Sequence, residues 1–205
     1  MVTRRGTLAG ASGGLAVLAI GRGAAADGIG HVSRAIGELA AVRGHSIVVL
    51  ATGDAVFVDD ILRTGAESRA LIVCIDGLQI AIGPATELAL RSFVTDQPGG
   101  VRAVFGLLQG ITRLIGGVVA TGRAIKLDTR TAIASVRSTE WLVESTAKGT
   151  GVLSIQGEVT VQALAGGTVV LRAGEGTDVA PGSRPKAPAI WGQARRRDAI
   201  ARTTV

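Results

Sequence analysis

The chain has 205 residues and a formal net charge of +6, and only 2% of its residues are aromatic, with no tyrosine. From Asp27 to Ala180 there are 13 basic and 15 acidic residues, whereas Pro181 to Val205 has 6 basic residues and 1 acidic residue. A near-neutral body with so few aromatic stacking surfaces excludes a protein whose role is to bind nucleic acid. Cys74 is the only cysteine, so no intramolecular disulfide can form, and its apolar neighbours predict a buried, unreactive thiol.

The first 26 residues have the order of an export signal. Arg4 and Arg5 form a cationic start, Leu8 to Ile20 is an apolar middle, and Ala24 and Ala26 are small residues that a signal peptidase accommodates. We therefore expect the rest of the chain to work outside the cytoplasm, in the periplasm.

The arginine pair favours the twin-arginine export route, with general secretion as the alternative. Thr7 departs from the twin-arginine pattern, which usually has phenylalanine at that position. The apolar middle has thirteen residues, and a helix that spans a bilayer needs about 20. We expect a signal helix and no stable membrane span after its cleavage; the sequence leaves open whether the helix is cleaved or kept as an anchor.

Between Ile36 and Val179, short runs rich in Val, Ile, Leu and Thr alternate with Gly, Asp and Pro, a pattern typical of strands joined by tight turns. The expected strands are Ser46 to Leu50, Ala70 to Ile75, Leu78 to Ile82, Glu87 to Phe93, Ala103 to Leu108, Ala124 to Asp128, Thr131 to Arg137, Glu140 to Glu144, Gly151 to Gln156, Glu158 to Leu164 and Thr168 to Arg172. Asp76-Gly77 predicts a two-residue type I′ hairpin, and Gln156-Gly157 and Gly166-Gly167 predict two more reversals. The fold class is therefore all-β. The strand pattern alone leaves a sandwich, a barrel or a stacked solenoid open, and the many short sequential strands favour a solenoid-like arrangement, with a sandwich-like one as the alternative.

The composition changes after Ala180. Residues 181–188 contain Pro181, Pro185 and Pro188 and predict a linker, because proline cannot donate to a strand ladder. The basic remainder of the tail predicts a weakly amphipathic helix in solvent. The alternative function for this tail is attachment to an acidic surface, such as anionic lipid or a cell-wall polymer.

No catalytic, cofactor or metal site is predicted. His31 and His45 lack metal-ligand spacing and are expected at the surface. Ser145-Thr146-Ala147-Lys148 has the Ser-x-x-Lys spacing of penicillin-recognising enzymes, but Gly149 follows and no partner motif lies downstream, so we interpret it as a solvated hairpin turn. The pair Asp59-Asp60 is expected to form a turn or to accept hydrogen bonds from nearby backbone amides.

The order of these features from Ile36 to Val179 resembles the FecR domain, named for the iron-dicitrate regulator. The joint order over about 140 residues carries the resemblance, since consistency across levels outweighs any single motif. Ser138 departs from the pattern, which usually has glycine there. The positions that match the family motif are Gly53, Asp54, Thr64, Gly65, Asp76, Gly77, Arg137, Thr139, Gly157 and Gly174.

The resemblance implies an all-β, non-enzymatic domain. In the regulator that names the family, this domain is the periplasmic part of a membrane-spanning anti-sigma protein that receives a signal from an outer-membrane transporter. We expect this chain to keep only the sensing portion, because it shows no anti-sigma segment and no adequate spanning helix. Three segments follow: a signal peptide (1–26), a FecR-like domain (27–180), and a linker with a basic tail (181–205).

The expected function is a non-catalytic protein-interaction or scaffolding module of the bacterial envelope, with signalling as one role. Its partner would be an envelope protein or a cell-wall component, docked at exposed strand edges. The alternatives are a module that binds polysaccharide or a small ligand, or an envelope enzyme that uses Ser145 and Lys148.

Overall fold

The structure is a computed structural model that describes residues 28–94, 101–116, 124–136 and 140–205. Strands make up 58% of the chain, and the part that the structure describes has one short helix after them, so the predicted all-β class is confirmed. The predicted signal helix lies outside the described residues. Within the described residues no helix has the length and apolar composition needed to cross a membrane.

The elements follow one another in a regular succession of short strands. They are β1 (Gly30–Ile36), β2 (Leu39–Arg43), β3 (Ser46–Val49), β4 (Ala55–Val56), β5 (Ile61–Thr64), β6 (Arg69–Cys74), β7 (Gln79–Ile82), β8 (Glu87–Phe93), β9 (Val101–Ile115), β10 (Ala124–Asp128), β11 (Ala132–Val136), β12 (Glu140–Thr146), β13 (Gly149–Gln156), β14 (Val159–Ala163), β15 (Thr168–Leu171), β16 (Glu175–Val179), β17 (Ala189–Ile190) and helix α1 (Gln193–Arg202).

The strands form two sheets that share β9. The first sheet has the order β4-β1-β6-β7-β9-β12-β13-β16-β17. The second sheet has the order β3-β2-β5-β8-β9-β10-β11-β14-β15. Neighbouring strands are antiparallel except β9 and β10, which are parallel. The arrangement agrees with the sandwich-like alternative, and the sheet is not closed into a barrel.

Strand β9 passes from one sheet to the other at Gly110. Before this point it pairs with β8 and β10, and after it with β7 and β12. Gly110 has a φ of +94°, a conformation that a Cβ disfavours, and an added Cβ there would collide with Thr86. The amide of Ile111 donates to Thr86 Oγ1 at 3.0 Å, so the hydroxyl satisfies a backbone group where the ladder changes sheet.

One continuous apolar core lies between the sheets. In β6 the side chains alternate, so that Ala70, Ile72 and Cys74 are buried and their neighbours are partly exposed. These residues pack in one cluster with apolar residues of the second sheet, such as Leu62 and Leu88. The prediction that Cys74 is buried is confirmed.

The unit β1 to β4 is repeated as β13 to β16. In both units the first and fourth strands pair in the first sheet, while the second and third form a hairpin in the second sheet. In each unit the chain passes from the first sheet to the second at a glycine with positive φ, which is Gly37 (+74°) in the first unit and Gly157 (+80°) in the second. The predicted reversal at Gln156-Gly157 is therefore a corner between the two sheets.

The corner that closes each hairpin unit is also duplicated. The carboxylate of Asp54 accepts a hydrogen bond from the amide three residues earlier at 2.7 Å, and that of Glu175 does the same at 2.8 Å. Gly53 (φ +97°) and Gly174 (φ +87°) precede these acids. Gly53 and Gly174, which the sequence resemblance singled out, therefore occupy equivalent positions in the two halves and shape equivalent turns.

The turn at Asp76-Gly77 lies where the sequence predicts it, but its type differs. The amide of Gly77 donates to the carbonyl of Cys74 (2.9 Å), and the amide of Cys74 donates to the carbonyl of Leu78 (2.8 Å). Gly77 has a φ of +82°, whereas Asp76 is not among the described residues with positive φ. This pattern is a three-residue loop with a glycine bulge in place of a type I′ turn. The Asp76 carboxylate instead accepts the amide of Leu78 at 2.9 Å.

We predict that Gly77→Val destabilises the protein by about 1–3 kcal/mol, because valine must adopt a left-handed backbone there. No atom lies within 4 Å of the position that a Cβ would take, so the cost arises from the backbone alone. Thermal unfolding should show a lower Tm, with aggregation of the flanking apolar strands. Gly77→Asn is the matched control and should retain most of the stability, since asparagine tolerates this conformation. Equal stability of the valine variant and the parent would contradict the assignment of this turn.

Candidate functional site

Among the residues that the structure describes, strand β3 forms an open edge of the second sheet. It pairs with β2 on one side, with Val42 opposite Ile47 and Ala40 opposite Val49. The amide of Leu50 donates to the carbonyl of the residue opposite it, Leu39, at 2.9 Å. In an antiparallel ladder every second pair exchanges hydrogen bonds. Ile47 and Val49 therefore belong to the pairs that do not, and their N–H and C=O groups point away from β2, towards solvent.

The side chains of the same two residues are also exposed. Ile47 is 69% exposed and Val49 is 81% exposed. Val48, between them, packs against the core, so the two exposed side chains share the outer face of the sheet. On that face Val42 and then Ile61 follow Ile47 from strand to strand. The edge thus continues into a row of apolar side chains, which suits contact with a protein chain.

The outer edges of the first sheet are shorter than β3. At the two ends of the first sheet, β4 and β17 have two residues each. Natural proteins protect long edges with charges, prolines or bulges, because an unpaired strand can accept another chain. Strand β3 and the residue after it, Ser46 to Leu50, contain no charged residue and no proline, and the pairing of β3 with β2 has no bulge. Strand β3 is therefore an unprotected edge four residues long.

Strand β15 is the equivalent edge of the second half. Val170 is 49% exposed and occupies the position of Val49, whereas Thr168 replaces Ile47. At the beginning of this edge Arg184 and Pro185 lie against Gly167. The edge at β15 is thus more polar than β3 and has the chain's own linker beside it.

The C-terminal tail packs on the outer face of the first sheet, which corrects the prediction of a solvated tail. Trp191 is 6% exposed and clusters with Ile111, Leu142 and Leu153 of the sheet and with Ala199 of α1. Sequence reasoning missed this contact because the hydrophobic periodicity of α1 is weak. The helix has no acidic residue in its first turn and no side-chain cap, so tertiary packing must stabilise it.

Ion pairs join the same tail to the sheet. Arg195 contacts Asp178 at 2.6 Å and lies over the Trp191 ring, 3.5 Å from its centroid, and Arg202 contacts Glu144 at 2.8 Å. The hydrogen bond from Arg195 lowers the pKa of the Asp178 carboxyl below its usual range, against the opposing effect of burial. The same hydrogen bond raises the pKa of Arg195. The pair is therefore charged at neutral pH.

An open cleft of about 420 Å³ lies between this tail and the strands beneath it. Its charged lining residues include Lys148, Asp178, Lys186 and Arg195. Asp178 and Arg195 already pair with each other. The cleft is the place where the alternative function, binding of a small ligand, would find charged groups.

The tetrapeptide from Ser145 to Lys148 does not have the arrangement that a serine-lysine enzyme requires. Ser145 is buried in strand β12, and Ala147 and Lys148 form the exposed turn of the β12–β13 hairpin. That enzyme class places the serine and the lysine one turn apart on a buried helix. The interpretation as a solvated hairpin turn is confirmed for Ala147 and Lys148 and wrong for Ser145, which is buried in the strand.

The remaining candidates for chemistry have structural roles or lie at the surface. His31 and His45 are exposed, as predicted. Asp60 is buried and accepts the amide of Phe57 at 3.0 Å, as the sequence suggested, and it also pairs with Arg43 at 2.8 Å, which the sequence did not reveal. Among the described residues, no group of three or more His, Cys, Asp or Glu side chains could hold a metal ion.

The described residues that the resemblance singled out lie at turns and corners of the fold, where they shape the backbone or bond to it. The Thr64 hydroxyl donates to the carbonyl of Gly83 at 2.7 Å and accepts the amide of Thr86 at 3.0 Å, and the amide of Gly65 donates to the carbonyl of Glu38 at 3.2 Å. With Gly53, Asp54, Asp76, Gly77, Gly157 and Gly174, they form turns and corners. The positions that lie outside the described residues are Arg4, Arg5, Ala24, Ala26, Arg137 and Thr139.

Comparison with known proteins agrees with this fold. Residues 60–160 match the sequence model of the FecR protein family. Two crystal structures, at 1.65 and 2.50 Å, of a candidate anti-sigma factor from Parabacteroides distasonis ATCC 8503 each superpose with a TM-score of 0.56. Their sequence identities to this chain are 14% and 12%, so the likeness shows the fold. The alignments cover 68% of this chain but only 64% and 63% of the solved chains. No curated protein matches significantly.

We predict that Trp191→Ala destabilises the protein by about 3 kcal/mol, because it removes a large buried side chain from the contact between tail and sheet. Chemical denaturation followed by circular dichroism would measure the change. Ile190→Ala is the matched control, since Ile190 is 72% exposed, and we expect it to cost less than about 1 kcal/mol. Similar effects of the two substitutions would show that the tail contributes little to the folded state.

Proposed function

We propose that this chain is a non-catalytic, exported FecR-like interaction or scaffolding module of the bacterial cell envelope, with a role in signalling. The observation that carries this proposal is the unprotected, apolar edge of the second sheet at β3, with its equivalent at β15. An extended segment of another protein could join such an edge through main-chain hydrogen bonds. No cofactor and no nucleic acid take part.

The family match supports a role through protein contacts. Residues 60–160 resemble FecR proteins, and the solved structures with this fold come from a candidate anti-sigma factor. We propose a signal peptide (1–26), a FecR-like domain (27–180) and a linker with a basic tail (181–205), and periplasmic location after export. The packing of Trp191 on the sheet makes the tail an accessory of the domain rather than a free arm.

Docking at the edges of the second sheet can be tested by capture from envelope extract. The exported protein, purified and immobilised, should retain specific envelope partners. We expect the double variant Val49→Lys, Val170→Lys to lose them, because a charged side chain on each edge opposes strand addition. Ile75→Lys is the matched control, since Ile75 is an exposed turn residue away from both edges. Unchanged capture by the double variant would refute docking at these edges.

Export by the twin-arginine route can be tested in cells. Replacing Arg4 and Arg5 together by lysine should leave the precursor in the cytoplasm, because that route recognises the arginine pair. Fractionation followed by immunoblotting would measure the distribution of the protein. Arg22→Lys makes the same change outside the pair and should not alter export. Normal export of the double variant would favour general secretion.

A further inference from the structure

The outward-facing backbone groups of β3 are spaced so that they can pair with the same groups of a second, antiparallel β3 strand. Ile47 and Val49 carry the outward-facing N–H and C=O groups, and Val48 between them is hydrogen-bonded to β2. From this geometry we propose that a second copy of this chain docks at β3, with the two β3 strands antiparallel about a two-fold axis at Val48. The inference rests on the proposed use of the second sheet's edges and names the occupant of one of them.

The register follows from which groups are free. When Ile47 lies opposite Val49 of the other copy, and Val49 opposite Ile47, each pair exchanges two N–H···O bonds between groups that all face outward. A shift of one residue would pair outward groups with those of Val48, which already belong to the β2 ladder. A shift of two residues in the other copy would place Val49 opposite His45, which lies in the turn before β3. The register centred on Val48 therefore uses both free residues of each copy.

The side chains fit the same pairing. Directly opposite residues of an antiparallel pair point to the same face, so Ile47 and Val49 of both copies form one patch of four β-branched side chains. The edge from Ser46 to Leu50 carries no charge, so the symmetric pairing brings no like charges together. A two-fold interface of this kind is closed, and it satisfies the edge without building a filament.

The equivalent edge at β15 is a poorer match for itself. Thr168 replaces the isoleucine, and Arg184 and Pro185 lie against Gly167 at the beginning of the strand. Pairing at β3 joins two copies into one extended sheet and leaves β15 at each outer end. In this arrangement β3 serves self-association and β15 remains for a different protein chain.

The first test is the mass of the full exported protein in solution, measured by sedimentation over a range of concentrations. We expect a reversible dimer for the parent and for Val170→Lys. Val49→Lys should be monomeric, because it removes an apolar contact and places two lysines at diagonal positions of one face, roughly 7–8 Å apart. Circular dichroism would verify that both variants are folded. A parent that stays monomeric, or a dimer lost in Val170→Lys but kept in Val49→Lys, would overturn the proposal.

The second test reports the register. Residues opposite each other in a pair without hydrogen bonds have Cα atoms about 4.5 Å apart, which lies within the usual range for a disulfide of roughly 4.4–6.8 Å. Val48→Cys should therefore form an interchain disulfide under mild oxidation. Ile47→Cys should not, because in this register the two copies of residue 47 are offset by two residues. The parent controls for the buried Cys74.

The outcomes separate this inference from the proposed function. Cross-linking through Ile47→Cys in place of Val48→Cys would overturn the register and the two-fold axis at Val48. A monomeric parent that still loses envelope capture on blocking both edges would overturn only self-association. A dimer with the expected cross-link, together with unchanged capture by the doubly blocked variant, would refute the proposed function and support the pairing.

Discussion

The passage of β9 between the sheets is the constraint on which the rest of the structure depends. One strand pairs with β8 and β10 at its beginning and with β7 and β12 at its end, so it holds the centre of both sheets. The change of partners leaves backbone groups of the strand without ladder bonds at one point. Thr86 provides a hydroxyl there and Gly110 provides the positive φ. Without the Thr86 hydroxyl, the buried amide of Ile111 would lose its hydrogen-bond partner, at a cost that apolar packing would have to offset.

Similar contacts recur at other corners where the chain turns from one sheet to the other. Short polar side chains such as Thr64 and Asp54 form hydrogen bonds with backbone groups, and glycines with positive φ, such as Gly53, allow the backbone to bend. These corners are repeated in β1–β4 and β13–β16, and Gly53 and Gly174, which the sequence resemblance singled out, lie at equivalent corners of the two units. The two glycines provide the backbone bend and the acid that follows each of them accepts a backbone amide, so their role is in the fold and does not by itself mark a binding site.

Binding of another chain to such a fold depends on which outer strands of the two sheets lack a neighbour among the described residues. Two stacked sheets with a common central strand have four outer edges, and in the first sheet these are strands of two residues. In the second sheet β3 and β15 remain, and they differ in polarity although they occupy equivalent positions. A duplicated unit thus offers two edges of one geometry with different side chains, which is a simple physical basis for binding two different chains.

Much of this protein could be predicted from local sequence. Residue preferences that act over a few neighbours predict the all-β class and the burial of Cys74. They also predict the turns at Asp76-Gly77, at Gly166-Gly167 and at Ala147-Lys148. Even there, the choice between a type I′ turn and a glycine bulge at Gly77 depended on the register of the flanking strands.

Only the tertiary structure decided which strand is an edge and what covers the others. The sequence predicts a strand that includes Ser46 to Val49. Its exposure depends on the tertiary structure, because among the described residues no strand pairs with it on the side away from β2. The packing of Trp191 on Ile111 and Leu142 joins residues far apart in the chain, and so does the pairing of Asp60 with Arg43. These contacts have no signature in local periodicity, because they depend on where the two sheets bring distant segments together.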